Sequence, residues 1–224
     1  MKKAGAIVLC AVLGVCLNAA NPLPVPLGTA STFAVLGGST VTNTGPTIVS
    51  GDLGLSPGSA VTGFPPGLVV GGSIHVNDAP AMQAQNDLTT AYNDAVSRSS
   101  VSVAADLAGL TLFPGVYKAS SSLMNSGSVV LDGQGNPNAV FIFQVGSALT
   151  VATHGRVVLS GGAKAANVFW QVGSSATLGT YSALKGTVMA YASITIATGA
   201  TLDGRALAQN AAVTLDTNAV TKQN

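Results

Sequence analysis

A mainly β fold, a three-faced β-solenoid with one long α-helix packed along its side, is the class that three features of this 224-residue chain predict. A Thr-apolar-x-Thr pattern recurs through the second half, in "SALTVATHG" (147–155), "SATLGTYSA" (175–183), "SITIATGAT" (193–201) and "AVTLDTNAV" (212–220). Charge is scarce, with Asp, Glu, Lys and Arg together making up 8% of the residues, while glycine occurs 27 times. One segment, 78–98, lacks glycine altogether and carries apolar residues at helical rather than alternating spacing.

The leading threonines of the repeat are Thr150, Thr177, Thr195 and Thr214, at successive spacings of 27, 18 and 19 residues. A period near 18 fits three strands of about six residues, one coil of a three-sided solenoid. The longer first step is a coil with extra residues in "GRVVLSGGAKAAN" (155–167). A second set of apolar runs, "AVFIFQVG" (139–146), "NVFWQVG" (167–173), "TVMAYA" (187–192) and "RALAQN" (205–210), supplies another face of the same coils. Asp132-Gly133, Gly161-Gly162 and Asp203-Gly204 are the turns between strands.

From the N-terminus, Lys2 and Lys3, an apolar run from Ala4 to Leu17 and the small pair Ala19 and Ala20 have the layout of a signal peptide over residues 1–20. Lipoprotein cleavage before Cys16 is the alternative, disfavoured by the bulky Val15. Cleavage near Ala20 leaves a single domain, 21–224, and removes both cysteines, Cys10 and Cys16, so no disulfide or thiolate metal site is expected. Residues 29–67 read as strand and turn, adding a coil or two. The helix is expected over about 78–98, with Pro80 in its first turn and Ala81, Ala84, Leu88, Ala91 and Ala95 on its buried face. "GVYKASSSLMNSGSVVLDG" (115–133) then reads as the first coil after this break.

Alternation along "SITIAT" places Ile194 and Ile196 inward and Ser193, Thr195 and Ala197 outward. The same parity exposes Thr150, Thr177, Thr214 and Ser175. The second threonines, Thr153, Thr180, Thr198 and Thr217, lie three residues further on; that odd offset leaves their direction open.

Composition narrows the function. Without Lys2 and Lys3 the chain has seven basic against eight acidic residues, which supplies no electrostatic footprint for nucleic acid or anionic lipid. Every acidic residue is Asp, and Asp132, Asp203 and Asp216 fall in no common column, so the paired carboxylates of a carbohydrate-processing β-helix enzyme are missing. His75 and His154 have no ligand cluster around them; no catalytic residue, cofactor or metal is expected. An uncharged lattice of hydroxyls and methyls lacks the concavity of a small-molecule site and suits an extended ordered solid, of which ice is the clearest case. Threonine is also a good filler of exposed strands, and a passive adhesive or surface-layer module is the competing reading.

The segments "LGTASTFAVLGGSTVTNTGPTIVSGDLGLSPG", "QAQNDLTTAYNDA", "LFPGVYK", "NAVFIFQVGS", "NVFWQVGSSATLG" and "LDGRALAQNAAVTL" together resemble the microbial ice-binding (antifreeze) family, over about residues 27–220. The resemblance implies a discontinuous solenoid in which N-terminal coils stack beside C-terminal ones. It also implies a secreted protein that adsorbs to ice through one flat face, slowing growth and recrystallisation. The family's Thr-(Ala/Gly)-x-(Thr/Asn) motif is matched by Thr44-Gly45-Pro46-Thr47, by Thr198-Gly199-Ala200-Thr201 and by Thr29-Ala30-Ser31-Thr32, whereas the residues after Thr153, Thr180 and Thr217 depart from it. The expected ice contacts are therefore Thr150, Thr177, Thr195, Thr214, Ser175, Ser193, Ala197, Thr198, Thr201, Thr44 and Thr47. The protein is expected to act as a monomer, outside the cell and free of the membrane.

Overall fold

The computed structural model describes residues 21–223, so the signal-peptide expectation for 1–20 lies outside the described residues. The chain winds into a stack of coils whose strand pairings are parallel throughout, as required when each strand lies on its counterpart one coil away. One face is a separate 7-stranded sheet, in the stacking order Leu123–Asn125, Leu149–Val151, Ala176–Leu178, Ile194–Ile196, Val213–Asp216, Thr40–Thr44, Ala60–Thr62. The other two faces form one 15-stranded sheet, because Ala183–Ala190 and Thr201–Ala208 run unbroken around the corner between them.

The stacking order differs from the chain order at one joint. Val35 and Leu36 pair with Ala206 and Leu207, Val41 with Val213, and Ile48 with Ala219, so the N-terminal coils sit on the C-terminal coil. The discontinuity implied by the family resemblance is thus present on all three faces. At the opposite end, Val101–Ser102 and Thr111–Leu112 add a partial coil beneath 115–133, so that segment is preceded by a cap rather than being the first coil its sequence predicts. Asp106 ties this cap on, accepting hydrogen bonds from the Ser126 amide and hydroxyl and the Ala108 amide.

The helix spans Ala79–Ser97, with Asp78 as its N-cap accepting from the Ala81 amide at 3.0 Å and Pro80 in the first turn, where its missing N–H costs nothing. Ala81, Ala84, Leu88, Ala91 and Ala95 are all fully buried. Under them lie Val116, Ile142, Phe169, Met189 and Leu207 from successive coils. This explains the unbroken apolar runs of "FIFQV" and "VFWQV": these strands face the solenoid interior on one side and the helix on the other. Inside the coils Tyr117, Phe143 and Trp170 stack in register, with ring centroids 5.5 and 4.0 Å apart.

Candidate functional site

The exposed side of the 7-stranded sheet carries a file of threonines. Register pairs Met124 with Thr150, Thr150 with Thr177, Thr177 with Thr195, Thr195 with Thr214, Thr214 with Thr42 and Thr42 with Thr62. Thr150, Thr177, Thr195 and Thr214 each lie between inward apolar neighbours: Leu149 and Val151, Ala176 and Leu178, Ile194 and Ile196, and Val213 and Leu215 are all buried. Strands about 4.8 Å apart make this file about 29 Å long. Sequence parity had placed Thr150, Thr177, Thr195 and Thr214 together, and the structure adds Thr42 and Thr62. The available signal is weak: "AVT" occurs at 60–62 and 212–214 but also at 219–221, which lies on another face, and Thr42 stands in "TVT" (40–42).

Two residues earlier on these strands lie Ala148, Ser175, Ser193, Ala212, Thr40 and Ala60, a second file of small side chains. Ser193 Oγ donates to Ser175 Oγ at 2.9 Å, and Thr42 Oγ1 to Thr214 Oγ1 at 3.4 Å. Such bonds between rungs restrict the hydroxyl rotors and preorganise the surface.

A third file runs along the corner. The amides of Tyr181, Gly199 and Thr217 bond the carbonyls of Thr198, Asp216 and Thr44, which aligns Thr180, Thr198, Asp216 and Thr44. The following residues, His154, Tyr181, Gly199, Thr217 and Gly45, all have positive φ and turn the chain onto the next face. Asp216, rather than Thr217, therefore neighbours Thr198, because the leg from Thr214 to this corner is one residue shorter than the leg from Thr195. Thr198 Oγ1 donates to Asp216 Oδ2 at 2.5 Å. Asp216 is the one charge in these three files. At Gly199 (φ +70) a Cβ would meet the Tyr181 ring at 2.4 Å, so the exposed Tyr181 keeps its place only beside glycine. Tyr181 itself stacks on His154, ring centroids 5.7 Å apart.

Several expected contacts fall elsewhere. Thr47 is fully buried; its hydroxyl accepts from the Asn218 amide at 3.0 Å, so it staples the corner and cannot touch an external surface. Thr201 is exposed on the adjacent face, in register with Ala183 and Ala219, because it follows the turn at Gly199. Ala197 follows the last paired residue of its strand and is half-buried; its carbonyl accepts from Asn218 Nδ2, so strict alternation ends at Ile196. Thr29 to Thr32 form a short 3-10 turn against the helix, where the Thr29 amide and hydroxyl both bond Asp87 Oδ2 at 2.7 Å. Thr44 and Thr198 belong to the corner file, and Ser175 and Ser193 to the small-residue file.

Among the described residues no group of three His, Cys, Asp or Glu side chains could hold a metal ion, and no helix is long and apolar enough to cross a membrane. Asp203 is held by Lys185 Nζ at 2.9 Å and by the Gln223 side-chain amide, and Asp132 accepts from the Gln134 amide.

Residues 35–221 match the family described as Ice-binding-like. An ice-binding protein of Nostoc sp. (strain HG1) is 54% identical over 197 residues, which cover 87% of this chain and 72% of that protein. The crystal structure of an ice-binding protein from an Antarctic Biological Consortium superposes with a TM-score of 0.89 at 52% identity, covering 92% of this chain and 94% of the other. That of an ice-binding protein from the Antarctic ascomycete Antarctomyces psychrotrophicus has a TM-score of 0.86 at 44% identity, covering 90% and 99%.

Proposed function

Because the chain belongs to the ice-binding family, we propose that its threonine face, centred on Thr150, Thr177, Thr195, Thr214, Thr42 and Thr62, is the surface that adsorbs to ice. The register of this file across consecutive coils carries the reading. Exchanging liquid water for ice as the hydroxyl's partner gains little at any one contact. Affinity accumulates from many contacts presented by a rigid surface that loses little entropy on docking. Methyl groups order the adjacent water while hydroxyls hold it in place. Ser175, Ser193, Thr198 and Thr44 extend the contact toward both edges. The protein binds rather than catalyses, and it acts as a secreted monomer cut near Ala20; N-terminal sequencing of protein from the medium should find a chain starting near Asn21.

Thr195→Tyr tests the face. A ring raised above Thr195 holds ice away from its neighbours, while tyrosine is a good residue for an exposed strand. The melting temperature should stay within a few degrees of wild type and inhibition of ice recrystallisation should fall severalfold. Thr90→Tyr, on the solvent side of the helix, should leave inhibition unchanged. Full activity in a folded Thr195→Tyr protein would move the ice contact to another face.

A further inference from the structure

Along one side of the helix, away from the threonine face, lies a trench of mixed apolar and amide lining whose chemistry the ice contact does not use. Two open cavities, about 310 and 480 Å³, adjoin the same helix stripe: Tyr92, Asn93 and Val96 line the first, and Met82, Asn86 and Thr89 the second. Between them Tyr92 and Tyr191 approach with ring centroids 6.4 Å apart. Tyr92 is pinned to the solenoid by a hydrogen bond from its hydroxyl to the Val172 carbonyl, whereas Tyr191 is 53% exposed.

Amides dominate the rest of the lining. Gln144 and Gln171 form the floor of the first cavity, and Gln85, Gln209 and Asn210 line the second. Gln144 Nε2 bonds the carbonyls of Ala95 and Arg98, which locks the group in place and leaves its oxygen as an acceptor. Asn210 Nδ2 bonds the Tyr191 carbonyl in the same manner. Gln209 Nε2 is buried at the second cavity and has no partner in the protein. Lys118 is the one charged side chain in the lining of either cavity.

We infer that this trench binds a neutral polysaccharide chain, with one sugar ring against Tyr191 and its neighbours' hydroxyls exchanging hydrogen bonds with the flanking amides. An exposed tyrosine offers an apolar face with a polar tip, and amides offer a donor and an acceptor side by side, which matches a ring of C–H groups edged by hydroxyls. The lining argues against an extended peptide: the neighbouring strands are already paired on both sides, which excludes strand addition. The predominantly uncharged lining also argues against an acidic polymer. Such a site would hold the protein on a cell-surface or matrix glycan while the threonine face points elsewhere.

Titration of the purified, isotope-labelled protein with cellohexaose, maltohexaose and mannohexaose, followed by amide NMR, tests this. Saturable shifts are expected for at least one of the three at the side-chain amides of Asn86, Asn93 and Asn210 and around Tyr191, with none on Thr177 or Thr195. Tyr191→Ala should weaken that binding roughly tenfold, as for loss of a central aromatic contact. Asn93→Ala, at an exposed helix position, provides a second variant should Tyr191→Ala fold poorly, and should weaken binding severalfold. Ice recrystallisation inhibition should be unaltered in both. No saturable binding of any of the three sugars, undiminished binding in both folded variants, or shifts confined to the threonine face would overturn the inference. So would preferential occupation of the trench by an oligoguluronate or by a proline-rich peptide, run in parallel.

Discussion

Thr42 and Thr47 carry the same hydroxyl and methyl, yet one turn at Gly45 sends the first to the threonine face and the second into the wall. Thr42 adds to a repeated surface; Thr47 supplies the hydrogen-bond acceptor for the buried Asn218 amide. Asn218 in turn donates to the carbonyls of Ala197 and Ala200 and accepts from the Asp216 amide, so this corner depends on both side chains. Thr47→Val keeps the shape and strands a buried donor, at a cost of about 1–3 kcal/mol. The melting temperature should fall by roughly 2–12 °C, measured by calorimetry, with ice activity per folded molecule intact. That is the reverse of the signature expected for Thr195→Tyr, and the contrast separates structural from functional threonines.

At the level of elements, the helix roofs the face that the coils alone would leave apolar and wet. Leu88 is fully buried between the helix and the strand residues beneath. Leu88→Ala should destabilise the fold by about 2–5 kcal/mol in denaturant titration, the range for a large-to-small change in a closed core. The N-terminal segment is tied to the same helix through Asp87. Hydrogen bonds from the Thr29 hydroxyl and amide, with a further one from Gln83, outweigh desolvation and hold the Asp87 carboxyl below its ordinary value of 3.8. A depressed carboxyl favours the folded state while ionised, so this contribution is complete above 3.8 and disappears as pH falls through the lower folded value. The difference in melting temperature between wild type and Asp87→Asn should therefore narrow on acidification below 3.8.

Across the whole molecule, the strand Ala219–Thr221 is the mortar between the two parts of the chain on its face, pairing with Thr201–Asp203 on one side and Ile48–Ser50 on the other. Deleting residues 217–224 removes this strand and the Asn218 staple, leaving two unpaired parallel edges that invite association. The truncated protein should lose its cooperative melting transition by circular dichroism and elute as aggregate in gel filtration, whereas removal of residues 222–224 alone should be tolerated far better.

The helix and the column Thr150, Thr177, Thr195 and Thr214 are legible in the residues alone, because both depend on short-range geometry. Ala81, Ala84, Leu88, Ala91 and Ala95 share a face at any helix of that length, and Thr195 must oppose Ile194 and Ile196 in any strand. Parity carries information only as far as the strand continues. At the corners positive φ breaks it: the turn at Gly199 brings Thr201 out on the next face and the turn at Gly45 sends Thr47 inward, while the shorter leg from Thr214 puts Asp216 rather than Thr217 beside Thr198. The AVT of residues 60–62 is legible as a repeat, but its place at the end of the threonine file is not. Only the folded stack places Thr42 on Thr214, 172 positions later, and Thr62 beyond it. Neighbours across coils are chosen by hydrogen bonds between strands remote in sequence, and no local pattern encodes which coil will lie on which.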